Sequence, residues 1–304
     1  MIYIIITTFK EPNIKKAIDV IIKQKPKEKY SLIVSAPDKE TKKVVLDYTK
    51  KNSNINYFKD PGKGKSYALN LLLKKLYRTN REDIFILTDG DVYLGNNSIK
   101  EIIKKFKDKK VGVVTGRPMS QNSRNNLFGY WSHFLLDVGA HKISRKKRYE
   151  KNEFIECTGY LFAFRNGIIQ SFPLDVAEDS IIPYYFWKRG YKIAYAENAL
   201  VYVKWPNNLR DWIKQKKRAA NAHTKLTLYA RDHPKVKSFS SEIIEGGIKG
   251  FFDIFSYPKN IKEFFWTLLL FPTRLYIWLN LHYNLKFKKQ SYKDGWERVE
   301  STKI

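Results

Sequence analysis

The chain has 304 residues, with 57 Lys+Arg against 30 Asp+Glu for a formal charge of +27, a hydrophobic fraction of 43% and one cysteine. That length and apolar content exclude a disordered chain and suit one large α/β domain with an appendage, while the lone Cys157 excludes an internal disulfide framework and a Cys-rich zinc site. The positive balance calls for an anionic partner: nucleic acid, phospholipid headgroups or a phosphate-bearing substrate.

In chain order, Ile2 to Thr7 is an apolar run that leads straight into a turn, and reads as a buried first strand rather than a signal sequence. Further strands are expected at Tyr30 to Ser35, Ile55 to Phe58, Asp83 to Thr88 and Val111 to Thr115. Between them, helical spacing of apolar residues predicts helices over Ile14 to Lys25, Thr41 to Lys50, Ser66 to Tyr77 and Ser98 to Phe106. This alternation is that of a doubly wound, mostly parallel α/β sheet, in which ligands bind at the carboxyl ends of the strands. Phe154 to Phe164 and Ile193 to Val203 read as later strands, with a helix from Asp179 to Lys188 between them and a basic helix from about Leu209 to Ala230 behind them. After His233-Pro234 the composition turns aromatic and apolar. The expected division is a catalytic α/β unit, 1–232, and a basic, aromatic helical segment, 233–304.

Thr88-Asp89-Gly90-Asp91 follows the apolar run Ile84 to Leu87. Two carboxylates around a glycine at a strand end can hold a hard divalent cation whose other positions are filled by diphosphate oxygens, although a polar turn capping a buried strand has the same composition. Pro61-Gly62-Lys63-Gly64-Lys65-Ser66 precedes a helix, so flexible backbone, basic charge and helix N-terminal amides converge where a phosphate can sit. P-loop spacing is not met, because a glycine is required where Lys59 stands. Glu178-Asp179 opens a later helix, as a cap or dipole partner would, or as a base that takes a proton from an acceptor hydroxyl.

Taken together and in this order, the motifs resemble the family 2 glycosyltransferases of GT-A fold, inverting enzymes that include cellulose, hyaluronan and dolichyl-phosphate sugar synthases. The resemblance runs from about Tyr3 to about His223. Thr7-Thr8-Phe9-Lys10-Glu11 looks like the opening nucleotide-binding loop, Gly64 to Asn70 like G-K-x-x-A-L-N, Asp89-Gly90-Asp91 like D-x-D, and Glu178-Asp179 like T-E-D. It implies a UDP or GDP type of sugar donor bound by Thr7, Phe9, Glu11, Lys65, Asp89 and Gly90, a Mn²⁺ or Mg²⁺ ion on Asp89 and Asp91, and Asp179 as catalytic base. It also implies an acceptor side formed by Cys157, Thr158, Gly159 and Glu178, with Cys157 a packed residue. Asp38 stands near the place of the family's base-binding aspartate. The family's Q-x-x-R-W appears as Gln215-Lys216-Lys217-Arg218-Ala219; Arg218 would neutralise the leaving diphosphate, and the missing tryptophan points to transfer of single sugars. His223 is a further candidate for the metal.

No window offers the roughly 18 apolar residues of a membrane span. Phe264 to Leu281 comes nearest and is broken by Pro272 and Arg274. Its aromatic and basic character predicts amphipathic helices lying on the anionic cytoplasmic face of the cell membrane, where a lipid-linked acceptor would be met, with an aromatic cap packed on the catalytic unit as the alternative. A nucleic-acid-binding protein fits the charge but not the dispersed basic residues or the paired carboxylates. A catalytically silent membrane scaffold fits poorly with intact Asp89, Asp91 and Asp179.

Overall fold

The computed structural model describes residues 1–221, 225–234, 247–287 and 300–302. Eight strands form one sheet in the order β3-β2-β1-β4-β7-β6-β8-β5. Its first half is built as the alternation predicts: β1 (Ile2–Thr7), α1 (Ile14–Lys23), β2 (Tyr30–Ala36), α2 (Lys39–Thr49), β3 (Ile55–Lys59), α3 (Lys65–Leu76) and β4 (Ile84–Asp89). β1 pairs in parallel with both β2 and β4, and the pairs Ile6 with Thr88 and Thr7 with Asp89 bring two polar strand ends side by side. Both faces are covered, so successive residues of β1 enter different cores: Ile2, Ile4 and Ile6 pack with α1, and Ile5 with Leu69, Leu72 and Phe85.

After β4 come β5 (Val92–Leu94), α4 (Ser98–Lys105) and β6 (Val111–Ser120). β7 (Leu161–Arg165) runs antiparallel between β4 and β6, and β8 (Lys192–Val203) pairs in parallel with β6 and antiparallel with β5. The strand expected over Phe154 to Phe164 is therefore reduced to its last residues. Phe154, Ile155 and Cys157 are buried, which accounts for the apolar signal, but the backbone there is irregular and the amide of Cys157 is donated to the carbonyl of Asp179 at 3.0 Å, outside any ladder. Between β6 and β7 lie α5 (Leu127–Phe134), a π-helical stretch over Leu135–Lys146 and α6 (Lys147–Glu150), none of them expected from the sequence. α7 (Glu178–Trp187) carries the second acidic motif. Of the basic helix expected from about Leu209 to Ala230, the described residues show α8 over Leu209–Asn221 and α9 over Leu226–Tyr229, and 222–224 lie outside the described residues.

The C-terminal helices α10 (Gly247–Ser256) and α11 (Ile261–Phe287) share a core with the rest of the chain, since Leu270 and Ile277 belong to the same buried cluster as Trp131, Trp205 and Trp212. Arg124 grips Glu263 with two hydrogen bonds of 2.8 Å, and its guanidinium lies over the rings of Tyr257 and Tyr130 at 4.3 and 5.3 Å. Trp131 Nε1 donates to the carbonyl of Trp266 at 2.7 Å, and Tyr130 bonds Thr267. Glu263, Thr267, Leu270 and Ile277 form the buried seam of α11. Its opposite side is also apolar but exposed: Ile261, Phe265, Leu268, Tyr276, Leu279 and Tyr283, with Phe251 and Phe252 exposed on α10. Among the described residues no helix is long and apolar enough to cross a membrane.

Candidate active site

The carboxyl ends of β1 and β4 place Thr7 beside Asp89, and Thr7 Oγ1 donates to Asp89 Oδ1 at 2.9 Å. Gly90 then turns the chain so tightly against β1 that its amide bonds the Thr7 carbonyl at 3.0 Å, and a Cβ there would meet Thr8 Oγ1 at 2.3 Å. Only glycine fits between the two aspartates. Asp91 emerges on the far side of this turn, facing a cavity of about 270 Å³ whose walls include Glu11, Lys16, Tyr93 and Lys204.

Lys65 is the first residue of α3, delivered by Gly64, whose φ of +107° is a conformation that favours glycine. Its ammonium bridges Asp89 Oδ1 and Glu178 Oε1, each at 2.7 Å. Burial works to lower the lysine's pKa, but the two carboxylates outweigh it and hold Lys65 well above its ordinary value. Asp89 is pushed up by burial and by the neighbouring charge of Asp91, with Lys65 acting in the opposite direction. Two half-buried carboxylates on one turn, where the charge of Asp91 makes the ionised form of Asp89 costlier, are a donor set suited to a hard divalent cation. Among the described residues no group of three His, Cys, Asp or Glu side chains is disposed to hold a metal, so substrate oxygens would have to complete the coordination. His223 lies outside the described residues.

Glu178 and Asp179 diverge at the start of α7. Glu178, placed with the acceptor side by the resemblance, pairs through Oε1 with the Lys65 ammonium. Asp179 Oδ2 accepts the amide of Gly159 at 3.1 Å and its carbonyl accepts the amide of Cys157, so the 157–159 loop and the acidic motif hold each other. Cys157 is fully buried in the core, and burial together with the charge of Asp179 raises its thiol above the ordinary range. Thr158 is buried and its amide is donated to Thr115 Oγ1 at 3.0 Å.

Tyr160 closes the Cys157-Thr158-Gly159-Tyr160 stretch that resembles the family's acceptor loop, and its carbonyl accepts Thr88 Oγ1 at 2.9 Å, which ties it to the end of β4. Burial pushes the Tyr160 hydroxyl up to about 12, Asp91, Asp89 and Asp179 add to the rise, and Arg218 opposes it. One side chain thus feels both aspartates of the D-G-D turn, the candidate base and the arginine of α8. Its only sequence signal is its place directly after Cys157-Thr158-Gly159. Asp38 caps α2 through the Thr41 amide at 2.8 Å and takes the Lys10 amide at 3.0 Å, which steadies the loop carrying Phe9 and Glu11. Glu11 is buried, with Oε1 accepting the Asn13 amide at 3.2 Å.

The carboxyl ends of the central parallel strands thus bring together an acidic turn, a basic helix start and an acidic helix start. The family model described as "Glycosyltransferase like family 2" matches residues 1–222, and the chain belongs to the family 2 glycosyltransferases. Hyaluronan synthase of Streptococcus pyogenes is 25% identical over 148 residues, 45% of this chain and 35% of that protein. The N-acetylglucosaminyltransferase of Rhizobium meliloti (strain 1021) is 22% identical over 163 residues, 49% of this chain and 37% of its own length. The O-antigen chain rhamnosyltransferase WbaN of Salmonella anatum is 28% identical over 126 residues, 39% of each chain. The matches thus span less than half the length of these curated relatives. Among solved structures, GalNAc-T7 crystallised with UDP, GalNAc and Mn²⁺ superposes with a TM-score of 0.48 at 17% identity, covering 86% of this chain and 59% of that one.

Proposed function

We propose that the chain transfers a single sugar, with inversion, from a UDP or GDP type of donor to a hydroxyl or phosphate acceptor at an anionic membrane surface. The observation that carries the chemistry is the Asp89-Gly90-Asp91 turn at the carboxyl end of β4, joined through Lys65 to Glu178 at the start of α7, where Asp179 follows on the Gly159 amide. Asp89 and Asp91 would hold Mn²⁺ or Mg²⁺, which when bound screens the charge on the departing diphosphate. Lys65 at the start of α3 and Arg218 on α8 would supply positive charge to the departing diphosphate. With a hydroxyl acceptor, Asp179 takes the proton as the acceptor oxygen bonds to the anomeric carbon and the bond from that carbon to the diphosphate breaks. The Gly159 amide on Oδ2 orients the carboxylate for this role.

The decisive test is a panel of UDP-, GDP- and dTDP-sugars with Mn²⁺ or Mg²⁺, following donor hydrolysis and thermal stabilisation. One metal-dependent donor, lost in Asp91→Ala, is the expected result; a folded protein silent across the panel would refute the reading. The exposed apolar side of α11, on a chain of charge +27, supports a place in the headgroup plane with the acceptor lipid-linked. Flotation with anionic vesicles tests this, and absence of binding at both low and moderate salt would refute it.

A further inference from the structure

Lys65 has the build of an exchangeable countercharge. Its ammonium lies 2.7 Å from Asp89 Oδ1 and 2.7 Å from Glu178 Oε1, and an ammonium on a flexible stem is a compact charge that can change partners without a fixed fork to satisfy. Asp89 Oδ1 also accepts Thr7 Oγ1 at 2.9 Å, so this carboxylate keeps a donor if the lysine leaves it. Asp91, the other half of the acidic turn, faces the open cavity. A divalent cation approaching the pair therefore meets a positive charge already seated on Asp89, and the like charges oppose one another at short range.

We propose that Lys65 is a placeholder cation: without donor it neutralises Asp89 and Glu178, and when a nucleoside diphosphate enters it moves to the phosphate oxygens and frees Asp89 for the divalent cation. The inference rests on the nucleotide-sugar reading above and adds to it an order of events. Metal and diphosphate then bind cooperatively because the diphosphate removes the charge that opposes the metal, and by reciprocity the metal strengthens the hold on the diphosphate. Glu178 keeps the displaced ammonium inside the site, which gives the first carboxylate of the acidic pair a role apart from the base beside it.

The test is Mn²⁺ binding to the full chain, read from the electron paramagnetic resonance signal of free Mn²⁺, with and without UDP or GDP, for wild type, Lys65→Met and Lys65→Gln. Wild type should bind Mn²⁺ weakly alone and about tenfold more tightly with one nucleoside diphosphate, within the usual range of coupling between sites. Both variants should bind Mn²⁺ without nucleotide about tenfold more tightly than wild type and gain little from adding it, by the same coupling. Lys65→Gln keeps a hydrogen-bond donor between the carboxylates should the methionine variant fail to fold. If either variant is unfolded alone, circular dichroism with added Mn²⁺ replaces the affinity: recovery of structure supports the proposal and none refutes it. Equal or weaker Mn²⁺ affinity in the folded variants, with nucleotide coupling intact in wild type, would overturn the exchange and leave the donor reading standing. No nucleotide-dependent Mn²⁺ binding in wild type would overturn both.

Discussion

Two buried cation–carboxylate contacts in this molecule look alike and serve opposite ends. At the active site Lys65 touches Asp89 and Glu178 through one ammonium, beside an open cavity. At the seat of the C-terminal helix Arg124 holds Glu263 through two parallel bonds and is covered by two tyrosine rings. A point charge on a mobile stem can be exchanged, whereas a planar fork stacked on aromatic faces is committed to one partner. On the proposed function, the choice of lysine or arginine separates a contact that can be exchanged from one that stays fixed.

Four outcomes would sharpen or break this contrast, starting with the largest. Asp179→Asn should lower turnover by roughly 10²- to 10⁴-fold, the usual worth of a general base, with donor binding retained; steady-state rates beside donor titration check it, and normal turnover removes Asp179 from its role. Arg124→Ala should cost about 3–5 kcal/mol in urea unfolding, because Glu263 is left buried and unpaired, and Arg124→Lys should recover only part of that. A full recovery would show that charge alone holds the helix.

Acid should weaken the same seat. The hydrogen bonds from Arg124, acting against burial, hold Glu263 below its ordinary value of 4.5. Its stabilisation is therefore complete above about pH 4.5 and lost as pH falls through the lowered value. Wild type should lose stability there relative to Glu263→Gln, measured by melting temperature against pH. Smallest in stability is Phe265→Glu on the exposed side of α11, within about 0.5 kcal/mol of wild type, while flotation with anionic vesicles should fall. A large stability loss would mean that this side is packed rather than exposed.

The first half of the sheet is legible in the sequence because both faces of short parallel strands are covered, so Ile2 to Thr7 and Ile84 to Leu87 are apolar throughout and end at polar turns. Residues 121–153 are not legible. Leu127 to Phe134 is apolar almost all round, with Tyr130, Trp131 and Phe134 buried, so it offers no polar face to set a helical period. The π-helical Leu135–Lys146 has hydrogen bonds five residues apart, which apolar spacing of three or four does not signal. β5 escapes because three residues are too few to alternate, and the reversed direction of β7 leaves no trace in composition. In the site, Asp89, Gly90, Asp91 and Lys65 stand in contiguous motifs, but Tyr160 is set among these charges only by the fold. The direction of Glu178 depends on how α7 meets α3.

Adjacency of Glu178 and Asp179 has a geometric consequence. Neighbours on an α-helix are separated by about 100° of rotation and 1.5 Å of rise, so the carboxylate that answers to Lys65 and the one held by Gly159 are set apart by the phase of a single turn. Adding one residue within that turn would rotate one arm away from its partner, whereas loops elsewhere can lengthen freely. If the proposed roles hold, the angle between the donor-side and acceptor-side carboxylates is measured by one peptide unit, and α7 works as a protractor.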